Sequence, residues 1–210
     1  MSIVFISGIG TGVGKTLVAT ILAEALEADY WKPVQAGYLE GTDSEWVQSH
    51  IANKKTFIHP ETYKFRLAAS PHIAAREENT VIDIQKICAH MPRNICNLII
   101  EGPGGLLVPL NETEFVADLV RAMDVKVVLV SRNYLGSINH SLLTASVCKA
   151  KNIPVEGWIF NDHYMNYENE IVRWTGIPGR ASVPFVENPD RSFVLNQATA
   201  MREQLVSWLC

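Results

Sequence analysis

Short runs of consecutive apolar residues alternate with stretches of helical period along the whole chain. The apolar runs predict strands at "SIVFISG" (2–8), "YWKPVQA" (30–36), "NLIIEG" (97–102), "VKVVLVS" (125–131), "VEGWIFN" (155–161) and "ASVPFV" (181–186). Between them, "KTLVATILAEALEA" (15–28) sets Leu17, Ile21, Leu22, Ala25 and Leu26 on one helical face. "TDSEWVQSHIAN" (42–53) opens with Thr42, Asp43, Ser44 and Glu45, a capping-box pattern. Further helices are predicted in "ETEFVADLVRAM" (112–123), "SINHSLLTASVCKAK" (137–151) and "SFVLNQATAMREQLVSWL" (192–209). The least regular stretch, 54–81, reads as a long surface excursion. Strands apolar at successive positions imply burial on both faces, hence a parallel α/β sheet layered by helices in three layers, α/β/α. In such sheets ligands sit at the carboxyl ends of the strands.

Composition narrows the picture. With 210 residues, 48% of them apolar, and no repeat or linker, one domain spanning 1–210 is expected. A net charge of −4 offers no basis for nucleic acid or an anionic membrane as partner. No apolar run nears the ~20 residues that span a bilayer. The start, "MSIVFISG", reads as a strand and not as an export signal. The four cysteines, 88, 96, 148 and 210, form no C-x-x-C pair, so reduced thiols and a cytoplasmic location are expected, with Cys148 in the core. The six histidines lack zinc-binding spacing.

Chemistry gathers at the strand ends. "GIGTGVGKT" (8–16) joins the first strand to the first helix, where backbone N–H groups and a helix N-terminus converge on an anion. Its glycines permit close approach of a phosphate, Lys15 supplies a point charge, and the Thr16 hydroxyl suits Mg²⁺. The usual G-x-x-x-x-G-K-[ST] template, however, wants glycine where Ile9 stands. Glu101 ends an apolar strand before "GPGG" (102–105), and burying a carboxylate there calls for a cation or hydrogen bonds. Other positions carry two readings each. Asp43 suits either a helix dipole or a metal. Lys32 is either a sheet-edge lysine or a charge aimed at a transferring phosphoryl group. Asn161 and Asp162, and Pro184 to Val186, are either turn formers or a purine pocket.

In order along the chain, "GIGTGVGKT", "KPVQAG", "SPH" (70–72), "EGPGGLLVPL", "LGSINHSLLT" and "GWIFND" resemble the motifs of dethiobiotin synthetase. That family is the ATP-dependent P-loop carboxylase that closes the ureido ring in biotin synthesis. Its first loop carries one more residue between the outer glycines than the usual P-loop, which accounts for the position of Ile9. The resemblance implies a P-loop NTPase fold and a homodimer, with ATP as co-substrate and Mg²⁺ as metal. The implied substrates are 7,8-diaminononanoate and CO₂ or bicarbonate. It implies that Gly12, Val13, Gly14, Lys15, Thr16 and Leu17 wrap the phosphates, with Gly102, Pro103 and Gly104 alongside. Thr16, Asp43 and Glu101 would surround Mg²⁺; Lys32 would be the active-site lysine; Thr11, Lys15 and Ala36 would border the substrate. Asn161, Asp162, Pro184, Phe185, Val186 and Asp190 would hold the adenine end. Asn139 would reach the substrate's tail carboxylate across the dimer interface. The implied route runs through a carbamate and a carbamic–phosphoric anhydride to dethiobiotin, ADP and phosphate.

Four positions depart from the family pattern: Ile9 and Gly10 for Thr and Asp, Ala36 for Ser or Thr, and Pro103 for Ala. The main rival is a partitioning or septum-positioning ATPase, whose loop reads K-G-G-x-G-K-[ST]. Its signature lysine would fall at position 10, which is glycine here. Another amide-forming or kinase enzyme on the same scaffold, and a relative kept for binding alone, are the remaining alternatives.

Overall fold

The computed structural model describes residues 2–93, 97–162 and 164–209. The chain opens with β1 (Ser2–Gly8) and α1 (Lys15–Leu26), then β2 (Asp29–Trp31), β3 (Val34–Ala36) and α2 (Asp43–His50). β4 (Ile58–His59), β5 (Tyr63–Phe65), α3 (Pro71–Glu77) and α4 (Ile84–His90) lead to β6 (Asn97–Gly105). Strict alternation follows: α5 (Val116–Met123), β7 (Lys126–Arg132), α6 (Ser137–Ala150), β8 (Val155–Asn161), α7 (Glu168–Thr175), β9 (Gly179–Val183) and α8 (Arg191–Leu209).

Seven strands form one sheet in the order β4-β2-β6-β1-β7-β8-β9, and every ladder in it is parallel. Successive side chains point to opposite faces, so each strand feeds two cores. Val4, Ile6, Ile99, Val128 and Val130 pack under α1, α2 and α8. Phe5, Leu98, Ile100, Val127 and Leu129 pack under α3 to α7. The three-layer α/β/α arrangement expected from the continuous apolar strands is what forms. Because α1 lies between the sheet, α2 and α8, it is buried well beyond the five-residue face expected of it, with Val18, Ala19, Ala23 and even Glu24 enclosed. Glu24 is compensated by the Ala52 and Asn53 backbone N–H groups, at 2.7 and 3.0 Å. Among the described residues, no helix is long and apolar enough to cross a membrane.

Several expectations need correction. "YWKPVQA" is not one strand. It breaks at Lys32 and Pro33, because proline has no N–H for the ladder. β2 stays in the main sheet, while β3 pairs in parallel with β5 in a separate two-stranded sheet. The 54–81 stretch is more than a surface excursion. It supplies the edge strand β4, the strand β5 and the helix α3. The helix expected from residue 112 starts at Val116, because Asn111 to Phe115 form a tight turn in which Leu110 N–H donates to Glu114 O at 2.8 Å. The last predicted strand starts two residues earlier, at Gly179, and ends at Val183, leaving Pro184 to Val186 beyond it. Cys148 is buried as expected, its thiol pushed up to about 12 by burial, and Cys88 is half-buried and unpaired. Cys96 and Cys210 lie outside the described residues.

Candidate active site

β1 delivers the chain to the carboxyl edge of the sheet, and the loop from Ile9 to Gly14 turns it into α1. Gly14 caps the helix at φ 88°, with no side-chain cap hydrogen bond among the described residues. A β-carbon there would lie 2.1 Å from Asn161 Nδ2, so glycine is required by conformation and by space alike. Asn161 in turn donates to Val13 O at 3.0 Å, tying the end of β8 to the loop. Ile9 packs against both cores, and its N–H donates to Val130 O at 3.0 Å. Lys15 folds back to donate to Gly10 O at 3.0 Å. The result is a curled loop with a cation inside it.

Next to the loop, four elements bring polar groups together. Glu101, on β6, is 1% exposed. Its Oε1 accepts from Thr16 Oγ1 at 2.9 Å and Lys32 Nζ at 3.1 Å, while Oε2 accepts from Tyr30 OH at 2.8 Å. Asp43, first residue of α2, forms an ion pair with Lys32 and accepts from Thr16 Oγ1 at 3.2 Å. The expected capping box is present, with Thr42 Oγ1 accepting from Glu45 N and Glu45 accepting from Thr42 N. It fixes where α2 begins.

Burial pushes the Lys32 ammonium down, but Glu101 and Asp43 together outweigh it, so its pKa lies above the ordinary lysine value. Lys32 is therefore a fixed positive charge and not a base. Burial, and then the charge of Glu101, raise the Tyr30 phenol well above its usual range and keep it a donor. For Lys15 burial prevails: its pKa falls to about 8, with Glu101 and Asp43 offsetting part of the drop and Lys32 adding to it.

A cavity of about 720 Å³ opens over these groups. Of the residues singled out in the sequence, Thr11, Gly12, Gly14, Lys15, Thr16, Lys32, Ala36, Asp43, Glu101, Pro103 and Gly104 line it. Val13 is buried beneath the loop, Leu17 is half-buried against the α1 side, and Gly102 packs on Phe5, where a β-carbon would meet the ring at 2.5 Å. Asn161 and Asp162 stand at the end of β8 beside Val183, with Asp162 N–H donating to Val183 O at 3.0 Å. Pro184 to Val186 follow directly, so both expected purine-side segments border one end of the sheet. Asp190 caps α8, accepting from Phe193 N at 2.7 Å. Asn139 is exposed on α6, away from the cavity lining. Residue-level reasoning missed Val34, Gln35, Ala68, Ala69 and Val108, which also line the cavity. Ser70 and Pro71, noted only as part of a motif, line it too.

An AAA domain family model matches residues 2–191. The ATP-dependent dethiobiotin synthetase BioD of Cytophaga hutchinsonii is 52% identical over 175 residues, covering 82% of this chain and 83% of that protein. The chain belongs to the dethiobiotin synthetase family. The BioD of Chlamydia abortus aligns over 95% of this chain and 94% of its own length at 36% identity. Among solved structures, a ParA family ATPase from Chlorobium tepidum (TM-score 0.61, 14% identity, 99% of this chain and 98% of that one) has a similar fold. So does a chain of the Aquifex aeolicus MinC:MinD cell division protein complex (TM-score 0.62, 13% identity, 99% and 95%). At such identities the likeness establishes the three-layer α/β/α fold and nothing further.

Each departure from the dethiobiotin synthetase pattern has a local setting. Ile9 places an apolar side chain against both cores where the family has threonine. Gly10 has open space around it. Pro103 falls where the β1–β6 register jumps from Ile6–Glu101 to Gly8–Gly105, so its missing N–H interrupts no ladder bond. Ala36 lies on the cavity wall and offers a methyl group where the family has a hydroxyl.

The lowered Lys15 pKa has a consequence for a bound triphosphate. Without ligand, Lys15 loses its proton as pH rises through about 8. Phosphates favour the charged form, so binding raises the pKa and draws in a proton. Affinity is full well below pH 8 and falls as pH rises through it. Nucleotide affinity at pH 9 is expected to be ~10-fold weaker than at pH 7, one pKa unit being a factor of ten. Titration calorimetry in two buffers of different ionisation enthalpy measures the proton uptake; equal apparent heats at pH 8 would contradict it.

Proposed function

We propose that this chain is an ATP-dependent dethiobiotin synthetase, acting as one domain, that joins CO₂ to both amines of 7,8-diaminononanoate. What carries the proposal is the convergence of Lys15, Thr16, Lys32, Asp43 and Glu101 beside the glycine loop, at the floor of one cavity, in a chain of this family. Thr16, Asp43 and Glu101 are hard oxygen donors on one side of the loop, a set that fits Mg²⁺ and would hold it there. Bound there, Mg²⁺ supplies Lewis-acid stabilisation to the phosphate oxygens. The triphosphate would lie along residues 12–17, with Pro103 and Gly104 alongside and the base toward Asn161, Asp162 and Pro184 to Val186.

The diamine would enter the cavity between Thr11, Lys32 and Ala36. One unprotonated amine attacks CO₂ and gives a carbamate. A carbamate oxygen takes the γ-phosphoryl group of ATP, releasing ADP, and the second amine displaces phosphate to close the five-membered ring, each amine giving up one proton as its C–N bond forms. Lys15 and Lys32 hold positive charge where carbamate and phosphoryl oxygens gain negative charge, and the cavity walls keep the reactants in line. The tail carboxylate would meet Asn139 of a second copy, which makes the working unit a homodimer, and the cytoplasm is the expected compartment. Protein, diamine, bicarbonate, Mg²⁺ and ATP should together yield the cyclic urea by mass spectrometry. Phosphate release without that product would transfer the reading to a nucleotide-driven switch, the activity associated with the ParA and MinD fold.

A further inference from the structure

Gln35 is 6% exposed, lies on the cavity wall at the middle of β3, and takes no part in the chemistry above. Its carboxamide spans a gap: Nε2 donates to Gly37 O at 2.8 Å, and Oε1 accepts from Asp43 N–H at 3.3 Å. The amide orientation is fixed by its partners, since a carbonyl can only accept and a backbone N–H can only donate. Asp43 is the first residue of α2, and its N–H is among those that a helix cannot satisfy internally. Thr42 Oγ1 takes the Glu45 N–H, whereas the Asp43 N–H is taken by Gln35 from across the loop.

Resting on the nucleotide and metal reading given above, we propose that Gln35 is a positioning residue for Asp43. By bridging both ends of the Gly37–Thr42 loop, it holds the Asp43 carboxylate against Thr16 and Lys32, where the divalent ion is to be bound. Inside the loop, Gly37 N–H donates to Phe65 O at 2.9 Å and Gly41 N–H to Tyr38 O at 3.2 Å, while the Gln35 carboxamide spans its two ends. Gly37 and Gly41 sit at φ 82° and 102°, and Leu39 is 67% exposed. A single carboxamide thus ties β3, which also contributes Ala36 to the diamine side, to the carboxylate on the metal side.

The probe is Mn²⁺ in place of Mg²⁺, followed by electron paramagnetic resonance in the presence of ADP, which needs no turnover. Gln35→Met keeps the side chain's length and apolar contacts and removes both hydrogen bonds. Mn²⁺ binding to the ADP complex is expected to weaken ~10-fold in Gln35→Met, roughly the effect of losing an outer-shell support of a metal ligand. ADP affinity measured without metal should stay within twofold of the parent protein. Unchanged Mn²⁺ affinity in the variant overturns the role of Gln35 and leaves the proposed function intact. A parent protein that binds no Mn²⁺ with ADP overturns the nucleotide and metal reading itself, and this inference with it. If Gln35→Met does not fold, hydrogen exchange in the parent decides: the Asp43 amide should exchange at least ~10-fold slower than an unstructured amide, and exchange at the free rate would refute the bridge.

Discussion

Replacing Lys32 by alanine is expected to lower turnover ~10²–10³-fold, the range for removing one preorganised electrostatic stabiliser, while nucleotide still binds. Lys32 sits between Asp43 and Glu101 and keeps its proton, so its loss removes a positive charge and no base. The two carboxylates then face each other without it. Deleting one partner of a buried pair costs ~3–5 kcal/mol of stability, at the low end where other donors persist. Glu101 keeps Thr16 and Tyr30. A divalent ion would restore the missing charge, so Mg²⁺ with ATP should raise the melting temperature of Lys32→Ala more than that of the parent. Lys32→Gln, which keeps length and a donor, separates charge from packing. It should be as slow as Lys32→Ala if charge is what matters. Near-parental kcat in either variant would remove Lys32 from its assigned role.

Gly14→Ala should weaken ATP binding ~100-fold, because the free loop would relax out of this geometry and two additive penalties oppose its return when phosphate binds. A left-handed conformation at φ 88° costs an L-residue ~1–2 kcal/mol. The new methyl group would also displace Asn161 and break its bond to Val13 O, a further ~0.5–1.5 kcal/mol. Fluorescence titration with a labelled ATP analogue gives the affinity, and a thermal melt shows what share of the penalty falls on the fold. Because Asn161 stands at the expected purine end, discrimination between ATP and GTP should fall as well. Affinity within threefold of the parent would mean that the phosphates do not approach this loop.

Much of this was legible in the chain. Runs such as "KVVLVS" cannot be half-exposed, so the parallel, doubly covered sheet follows from them directly. Gly14, Lys15, Thr16 and Glu101 are readable because each depends on one strand and what immediately follows it. Asp43 and Lys32 were ambiguous for the opposite reason. Each has an ordinary local explanation, and their meeting depends on how the Gly37–Thr42 loop closes, which periodicity does not encode. Gln35 was invisible on the same grounds: a glutamine in a strand says nothing until its two partners are placed. The 54–81 stretch misled because β4 and β5 have only two and three residues, too few to show a period, yet they bring Ala68 to Pro71 to the cavity wall. The helix α7 escaped notice because its sequence, "ENEIVRWT", buries only Ile171.

Labelled bicarbonate distinguishes the proposed chemistry from every rival on this fold. If ATP phosphorylates a carbamate, one carbonate oxygen becomes the bridge to phosphorus and leaves with it when the ring closes. Freshly dissolved [¹⁸O]bicarbonate in unlabelled water, given with diamine, Mg²⁺ and ATP, should yield inorganic phosphate carrying one ¹⁸O per dethiobiotin formed, apart from label lost to water. Phosphate free of label, released at the same rate with or without the diamine, would mean that water is the nucleophile and that this chain hydrolyses ATP without making the ring.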